Sequence, residues 1–115
     1  MTKHDPQLDQ MFQALSDPTR RAVFSRLMQG PAPVSELAQP FAMALPTFMG
    51  HLAKLEKGGL IVTEKQGRSR ICRAEPAAMA PARDWIEDQR ALWQGRLDRL
   101  EDFLETMTED EKNEH

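Results

Sequence analysis

The sequence predicts a mostly α-helical fold with one small β-hairpin, an α+β fold. Apolar residues recur every three or four positions in five segments, which is typical of amphipathic helices. Pro and Gly separate these segments, as at Gly30-Pro31 and Gly58-Gly59, and Gly67 lies between two short strand-like runs. The 115 residues suffice for one domain with a core of its own but not for two, so we expect a single domain over residues 1–115.

Two helices are predicted before residue 30. The first spans about residues 6–15. Asp17 is a good N-cap for the second, and Pro18 suits its first position, where no amide donor is needed. The second helix is expected to carry Ala22, Val23, Leu27 and Met28 and to end before Gly30.

The most informative stretch is residues 33–73. A short helix over residues 34–39 is ended by Pro40, a turn follows, and a further helix begins near Ala44 or Leu45. The predicted buried side of this helix is Leu45, Phe48, Leu52 and Leu55. After Gly58-Gly59, a strand at residues 60–62, a turn at 67–69 and a strand at 70–74 form the hairpin. This order is that of a winged helix–turn–helix, in which one helix enters the DNA major groove and the hairpin grips the backbone.

A long final helix is predicted over about residues 78–107. Ile86, Trp93, Leu100 and Met107 repeat every seven residues, which resembles a coiled-coil seam. A second copy of the chain is the simplest partner for this stripe, with the first helix joining the interface. The expected dimer contacts are Leu8, Phe12, Trp85, Trp93, Leu97, Leu100 and Leu104. Residues 108–115 contain no apolar side chain and are expected to form a frayed acidic tail.

The charge is unevenly distributed. The net charge is −3, but residues 44–73 hold six basic side chains against two acidic ones, and residues 74–115 hold five basic against twelve acidic. Because the Debye length is about 8 Å at physiological salt, a distant acidic tail hardly cancels a local basic patch. The patch therefore predicts double-stranded DNA as the partner.

The remaining composition indicates an intracellular protein. The one cysteine, Cys72, excludes an intramolecular disulfide and fits a reducing cytosol. No stretch approaches the roughly 18 apolar residues of a membrane span, and the first ten residues have no signal-like apolar region. We expect a cytoplasmic location.

Three segments carry a resemblance to a known family. Residues 15–20 (LSDPTR), 34–38 (VSELA) and 51–60 (HLAKLEKGGL) resemble the ArsR-type family of bacterial dimeric transcriptional repressors, in this order and at this spacing. The resemblance covers residues 8–107. It implies a homodimer that binds a palindromic operator, and many relatives release DNA when a metal ion or an oxidant binds.

The candidate DNA-binding residues lie on the fourth helix and the wing. If Phe48, Leu52 and Leu55 point inward, the 3.6-residue period turns the residues between them outward. Small polar residues common in relatives are replaced here by Ala44, Leu45 and Met49, so specificity is expected to depend on methyl contacts, DNA shape or the wing. The predicted DNA-binding residues are Ser35, Thr47, Gly50, His51, Lys54, Lys65, Arg68 and Arg70. A structural hydrogen bond is the alternative for His51, helix capping for Ser35, and solubility for the wing cations.

Other chemistries find little support in the sequence. The clustered cysteines or His-carboxylate patterns of the family's metal sites are missing, so we expect no metal sensing and no cofactor. Flanked by Arg70 and Arg73, Cys72 could have a lowered pKa if it were exposed, but a packed role is favoured. The sequence has no phosphate-binding glycine loop and no recognisable nucleophile–base pair, so we expect no enzymatic activity.

Two alternatives to a plain DNA-binding repressor stay open. The apolar segment 44–50 could dock on a partner protein, which would make the chain a winged-helix interaction module without specific operator binding. A small-molecule effector could instead bind near Trp85 and Trp93.

Overall fold

The structure is a computed structural model that describes residues 5–113. The chain forms two compact units, the first ending at Ala82 and the second beginning at Arg83. The helices of the first unit are α1 (Pro6–Leu15), α2 (Pro18–Leu27), α3 (Val34–Ala38) and α4 (Leu45–Lys57), and its strands are β1 (Ala32–Pro33), β2 (Ile61–Gln66) and β3 (Ser69–Ala74). The predicted winged helix–turn–helix order is confirmed.

Aspartate caps start the first two helices. Asp5 accepts hydrogen bonds from the amides of Gln7 and Leu8, at 3.0 and 3.3 Å, and Pro6 occupies the first helical position. Asp17 repeats this arrangement before Pro18, accepting from the amides of Thr19 and Arg20. The predicted capping by Asp17 is confirmed, and it begins α2 shortly after α1 ends.

The core of the first unit lies beneath α4. Phe48, Leu52 and Leu55 are buried, as their spacing predicts. The prediction for Leu45 is wrong, because its side chain is 57% exposed. Leu45 begins α4 outside the core, whereas Phe48 is buried and its ring packs against that of Phe41, with centroids 5.7 Å apart. On α2 the buried residues include Val23, Phe24 and Leu27, while Ala22 and the C-cap residue Met28 are exposed.

The sheet has three antiparallel strands in the order β1-β3-β2. The hairpin of β2 and β3 corresponds to the predicted one, but β2 is longer than residues 60–62. Strand β1 was not predicted, since two residues with a proline have no strand signature. It pairs Ala32 with Cys72 and Pro33 with Ile71, and so closes the edge of β3.

Two glycines connect α4 to the hairpin. A Cβ on Gly58 would lie 3.1 Å from the Cβ of Ala14, so a larger residue would require α1 to move back by a few tenths of an ångström. Gly59 has φ +76°, the left-handed conformation expected of one residue in this pair. The amide of Leu60 then donates to the carbonyl of Leu55 at 3.0 Å, which directs the chain into β2.

A long helix makes up the second unit. After a 3-10 turn at Pro76–Met79, α5 runs over Ala80–Asn113, well beyond the predicted end at Met107. The predicted fraying of the acidic tail stays a prediction, and residues 114 and 115 lie outside the described part. The guanidinium carbon of Arg96 lies 5.9 Å from the centroid of the Trp93 ring. Among the described residues, no helix is long and apolar enough to span a membrane.

Candidate nucleic-acid interface

The outward face of α4 displays the predicted groove-reading residues. Thr47, Gly50 and Lys54 are exposed, and His51 is half-buried. A Cβ built on Gly50 would have no atom within 4 Å, so the backbone faces open space there. These residues lie on turns that follow one another along the side of the helix opposite Phe48, Leu52 and Leu55.

Arg20 forms a hydrogen bond with the imidazole ring of His51. Its Nη1 donates to Nδ1 of His51 at 3.1 Å, and its guanidinium is also bonded to the α1 carbonyls of Ala14 (2.8 Å) and Gln13 (2.9 Å). Because a guanidinium can only donate, Nδ1 is the acceptor and the neutral ring carries its proton on Nε2. The structural hydrogen bond considered for His51 is therefore present at Nδ1, and Nε2–H is left as the donor for a further partner.

Asp17 adds a negative charge to the same cluster. Its Oδ2 lies 3.8 Å from Nδ1 of His51 and accepts from the amides of Thr19 and Arg20. Desolvation raises the pKa of the Asp17 carboxyl, but the two amide hydrogen bonds and the nearby guanidinium of Arg20 outweigh it and leave the pKa below its usual value. The carboxylate therefore stays ionised beside the buried guanidinium of Arg20.

Sequence reasoning missed Arg20 as a functional residue. Only 5% of the residue is exposed, and it joins the end of α1, the start of α2 and the middle of α4. An arginine in the first turn of an amphipathic helix usually points to solvent, so the sequence carries no sign of its burial.

The wing concentrates positive charge at its tip. The two-residue turn consists of Gly67, with φ +61°, and Arg68. Lys65 and Arg70 lie directly opposite each other across the hairpin. Like charges at such positions destabilise a hairpin by themselves, and a bound anion relieves this repulsion.

The four wing cations differ in their partners. Arg70 donates to the hydroxyl of Thr63 at 2.9 Å, and Arg73 forms ion pairs with Glu64 and Glu75, each at 3.4 Å. Within the described range 5–113, Lys65 and Arg68 form no ion pair and no side-chain hydrogen bond, and the same holds for Lys54 on α4. Two cations of the wing tip and one on the outward side of α4 are therefore unpaired within the described residues.

Ser35 is the second residue of α3 and is exposed. The capping alternative is wrong, because Pro33 is the N-cap residue and no side chain caps this helix. The Ser35 hydroxyl remains a candidate phosphate donor.

Cys72 is fully buried on β3. Burial raises the pKa of its thiol, and Glu56 raises it further, while Arg70 acts in the opposite direction. The alternative of an exposed thiol with a lowered pKa is thereby contradicted, and the packed role is confirmed.

The predicted dimer residues differ in their environments. Leu8 is half-buried against the core of the first unit, and Phe12 is 37% exposed. Trp85, Trp93, Leu97, Leu100 and Leu104 on α5 are all exposed within the single chain. Over residues 5–113, no three His, Cys, Asp or Glu side chains are grouped so as to hold a metal ion.

Comparison with known proteins assigns the family. Residues 15–64 match a family model described as a helix-turn-helix domain. The chain is 36% identical over 75 residues to the HTH-type transcriptional regulator Rv2034 of Mycobacterium tuberculosis, covering 65% of this chain and 70% of that protein. A crystal structure of the ArsR family transcriptional regulator RHA00566 superposes with a TM-score of 0.76 at 52% identity, covering 82% of this chain and 97% of that one. The chain belongs to the ArsR family of transcriptional regulators.

A more distant ArsR-like structure shares the fold. It is the solution structure of a homodimeric winged helix-turn-helix DNA-binding domain, Mb0332 of Mycobacterium bovis, described as a possible ArsR-family regulator. Its TM-score is 0.58 at 24% identity, with 80% of this chain and 94% of that one covered. The resemblance identified in the sequence is confirmed, and the chain is a DNA-binding transcriptional regulator.

Proposed function

We propose that the protein is a homodimeric repressor that binds a palindromic operator through α4 and the wing. The observation that carries this proposal is the unpaired positive charge at the wing tip, where Lys65 faces Arg70 and Arg68 occupies the turn. Phosphates are the ligand that such a cluster fits, since each one neutralised releases counterions and adds affinity without base preference.

The residues of α4 are assigned different contacts with DNA. Thr47 and Lys54 are exposed and fit contacts to phosphates or base edges. His51 donates from Nε2, because Arg20 occupies Nδ1 and fixes the orientation of the ring. Gly50 lets the backbone come close to the groove, and Ser35 on α3 donates to a phosphate beside it.

The exposed apolar stripe of α5 supports dimerisation. Trp93 and Leu97 are 58% and 40% exposed in the single chain, and Leu100 and Leu104 continue the stripe. A patch of this kind on a helix is stable in water only when covered, and the homodimeric state of the related domain from M. bovis favours a second copy. Leu8 and Phe12 of α1 complete the proposed interface. Two α4 helices about 34–36 Å apart then match the half-sites of a palindrome.

Repression would follow from occupation of the operator by the dimer. A dimer seated on a promoter blocks other proteins from the same DNA, which needs no further contact surface. We further propose that metal ions do not control this protein, since the clustered donors of a soft-metal site are missing from its sequence. A cytoplasmic location accords with access to the chromosome.

Fluorescence anisotropy with DNA from the protein's own promoter region tests the proposal. At two salt concentrations, we expect tight, salt-sensitive binding that exceeds binding to random DNA of the same length and composition. Equal and weak binding to both DNAs, across a set of promoter fragments, would favour the protein-interaction module, for which the exposed side chain of Leu45 provides an apolar contact.

A further inference from the structure

Leu45 is an apolar side chain placed where a DNA-reading helix contacts bases. It is the first residue of α4 and is 57% exposed. Large apolar side chains more than a third exposed within residues 5–82 are Phe12, Met28 and Leu45, and Leu45 is the most exposed of them. The N-terminal residues of a recognition helix are those that approach base edges in the major groove.

The fold does not require a leucine at this position. Phe41 and Phe48 fill the core beneath the first turn of α4, and the Leu45 side chain remains outside it. A polar residue would therefore cost the isolated protein little. The Leu45 side chain is therefore free to contact another molecule.

The N-cap residue and the first two residues of α4 offer little hydrogen bonding to a base. Ala44 caps the helix without a side-chain hydrogen bond, Leu45 has no polar side-chain atom, and Pro46 lacks even an amide proton. In the major groove, the base feature that an apolar side chain recognises is the 5-methyl group of thymine.

We propose that Leu45 reads the 5-methyl group of a thymine in each operator half-site. The proposal rests on the proposed function, because it needs α4 in the major groove. It assigns a part of the sequence specificity to Leu45 at the start of α4, while the wing cations supply affinity that is independent of sequence.

Replacing thymine by deoxyuridine tests this proposal, since the substitution removes only the methyl group. Each thymine of the operator is replaced in turn, symmetrically in both half-sites, and binding of the native protein is measured. Burying one methyl group corresponds to about fourfold in affinity, so we expect a decrease of about fifteenfold for the symmetric replacement at one position.

The variant L45A identifies the side chain responsible. We expect it to bind the thymine operator about as weakly as the native protein binds the deoxyuridine operator, and to bind both DNAs equally. The matched control M28A, which shortens an exposed side chain next to α2, should keep the full thymine preference. Circular dichroism and urea unfolding check that both variants fold as the native protein does.

The measurements distinguish failure of the proposed function from failure of this inference alone. If the native protein prefers no DNA over random sequence, the proposed function fails and this inference fails with it. If operator binding is specific but no deoxyuridine position weakens it, or if L45A keeps the native ratio between the two DNAs, the inference alone is overturned.

Discussion

Nη1 of Arg20 donates a hydrogen bond to Nδ1 of His51 across 3.1 Å, joining the first turn of α2 to the middle of α4. The same guanidinium bonds to the carbonyls of Gln13 and Ala14 at the end of α1. The carbonyl of Gln13 also accepts from the amide and the hydroxyl of Ser16, and a cation at the end of α1 suits the negative end of the helix dipole. One buried side chain thus fixes three helices and the ring of a candidate DNA-contacting residue.

Replacing Arg20 by alanine should destabilise the protein by about 3 kcal/mol, because the carbonyl of Ala14 loses the guanidinium donor and a space opens between the helices. Urea unfolding should show a lower midpoint with an unchanged slope. R20K keeps the charge but lacks the planar fork, so an intermediate destabilisation is expected. A stability of R20A within about 0.5 kcal/mol of the native value, which is typical of surface substitutions, would contradict the structural role.

The sequence predicts a feature of this fold correctly where residues close together in the chain determine that feature. Asp17-Pro18 and Gly58-Gly59 have local chemistry that determines where α2 starts and α4 ends, and both predictions are confirmed. Spacing correctly predicts that Phe48, Leu52 and Leu55 are buried, because one face of α4 packs on the core along most of its length.

The predictions are wrong or missing where packing between distant parts of the chain determines the structure. Spacing assigns Leu45 to the same face as Phe48, but it cannot indicate that the core does not reach the first residue of α4. The burial of Arg20 depends on carbonyls of another helix, and β1 exists because β3 offers Ala32 and Pro33 an open edge. Within the candidate site, the sequence predicts the outward face of α4 and the wing cations. It does not predict the hydrogen bond from Arg20 to His51.

Replacing Gly50 by alanine should separate stability from DNA binding. A Cβ at this position meets open space, so alanine should stabilise α4 by about 1 kcal/mol. If the backbone approaches the groove there, the added methyl group should weaken operator binding about tenfold. Thermal unfolding and anisotropy give the two values. The control G95A, on α5, should leave operator affinity unchanged, and native affinity of G50A would exclude a close approach.

Replacing Arg68 by alanine should weaken binding to all DNA sequences alike. The plot of log affinity against log salt concentration should become shallower by about 0.9 for each phosphate that the variant no longer neutralises. Arg73 provides the control, because its guanidinium is already paired with Glu64 and Glu75. R73A should leave the slope almost unchanged. Equal slopes for R68A and the native protein would remove the wing tip from the interface.

Cys72 should be unreactive in the native protein. Its thiol is buried and its pKa is raised, so little thiolate is present at about pH 8 and a reagent such as Ellman's reagent has no access. Reaction should occur only after unfolding in urea. C72S should lower the free energy of unfolding by about 1–3 kcal/mol, since it buries a hydroxyl group among apolar neighbours. Rapid native labelling would show that β3 opens readily.

Replacing Trp93 by alanine should weaken the proposed dimer. Large aromatic residues at the centre of an interface each contribute about 2 kcal/mol or more, so the dissociation constant should rise at least about thirtyfold. Analytical ultracentrifugation over a concentration series measures this change. D102A alters an exposed residue on the polar side of α5 and should leave the constant unchanged. Because a palindrome needs both α4 helices, W93A should also bind an isolated half-site with native affinity while binding the full operator more weakly. A W93A dimer as tight as the native one would place the seam elsewhere on α5, and weakened half-site binding would show damage to the winged helix itself.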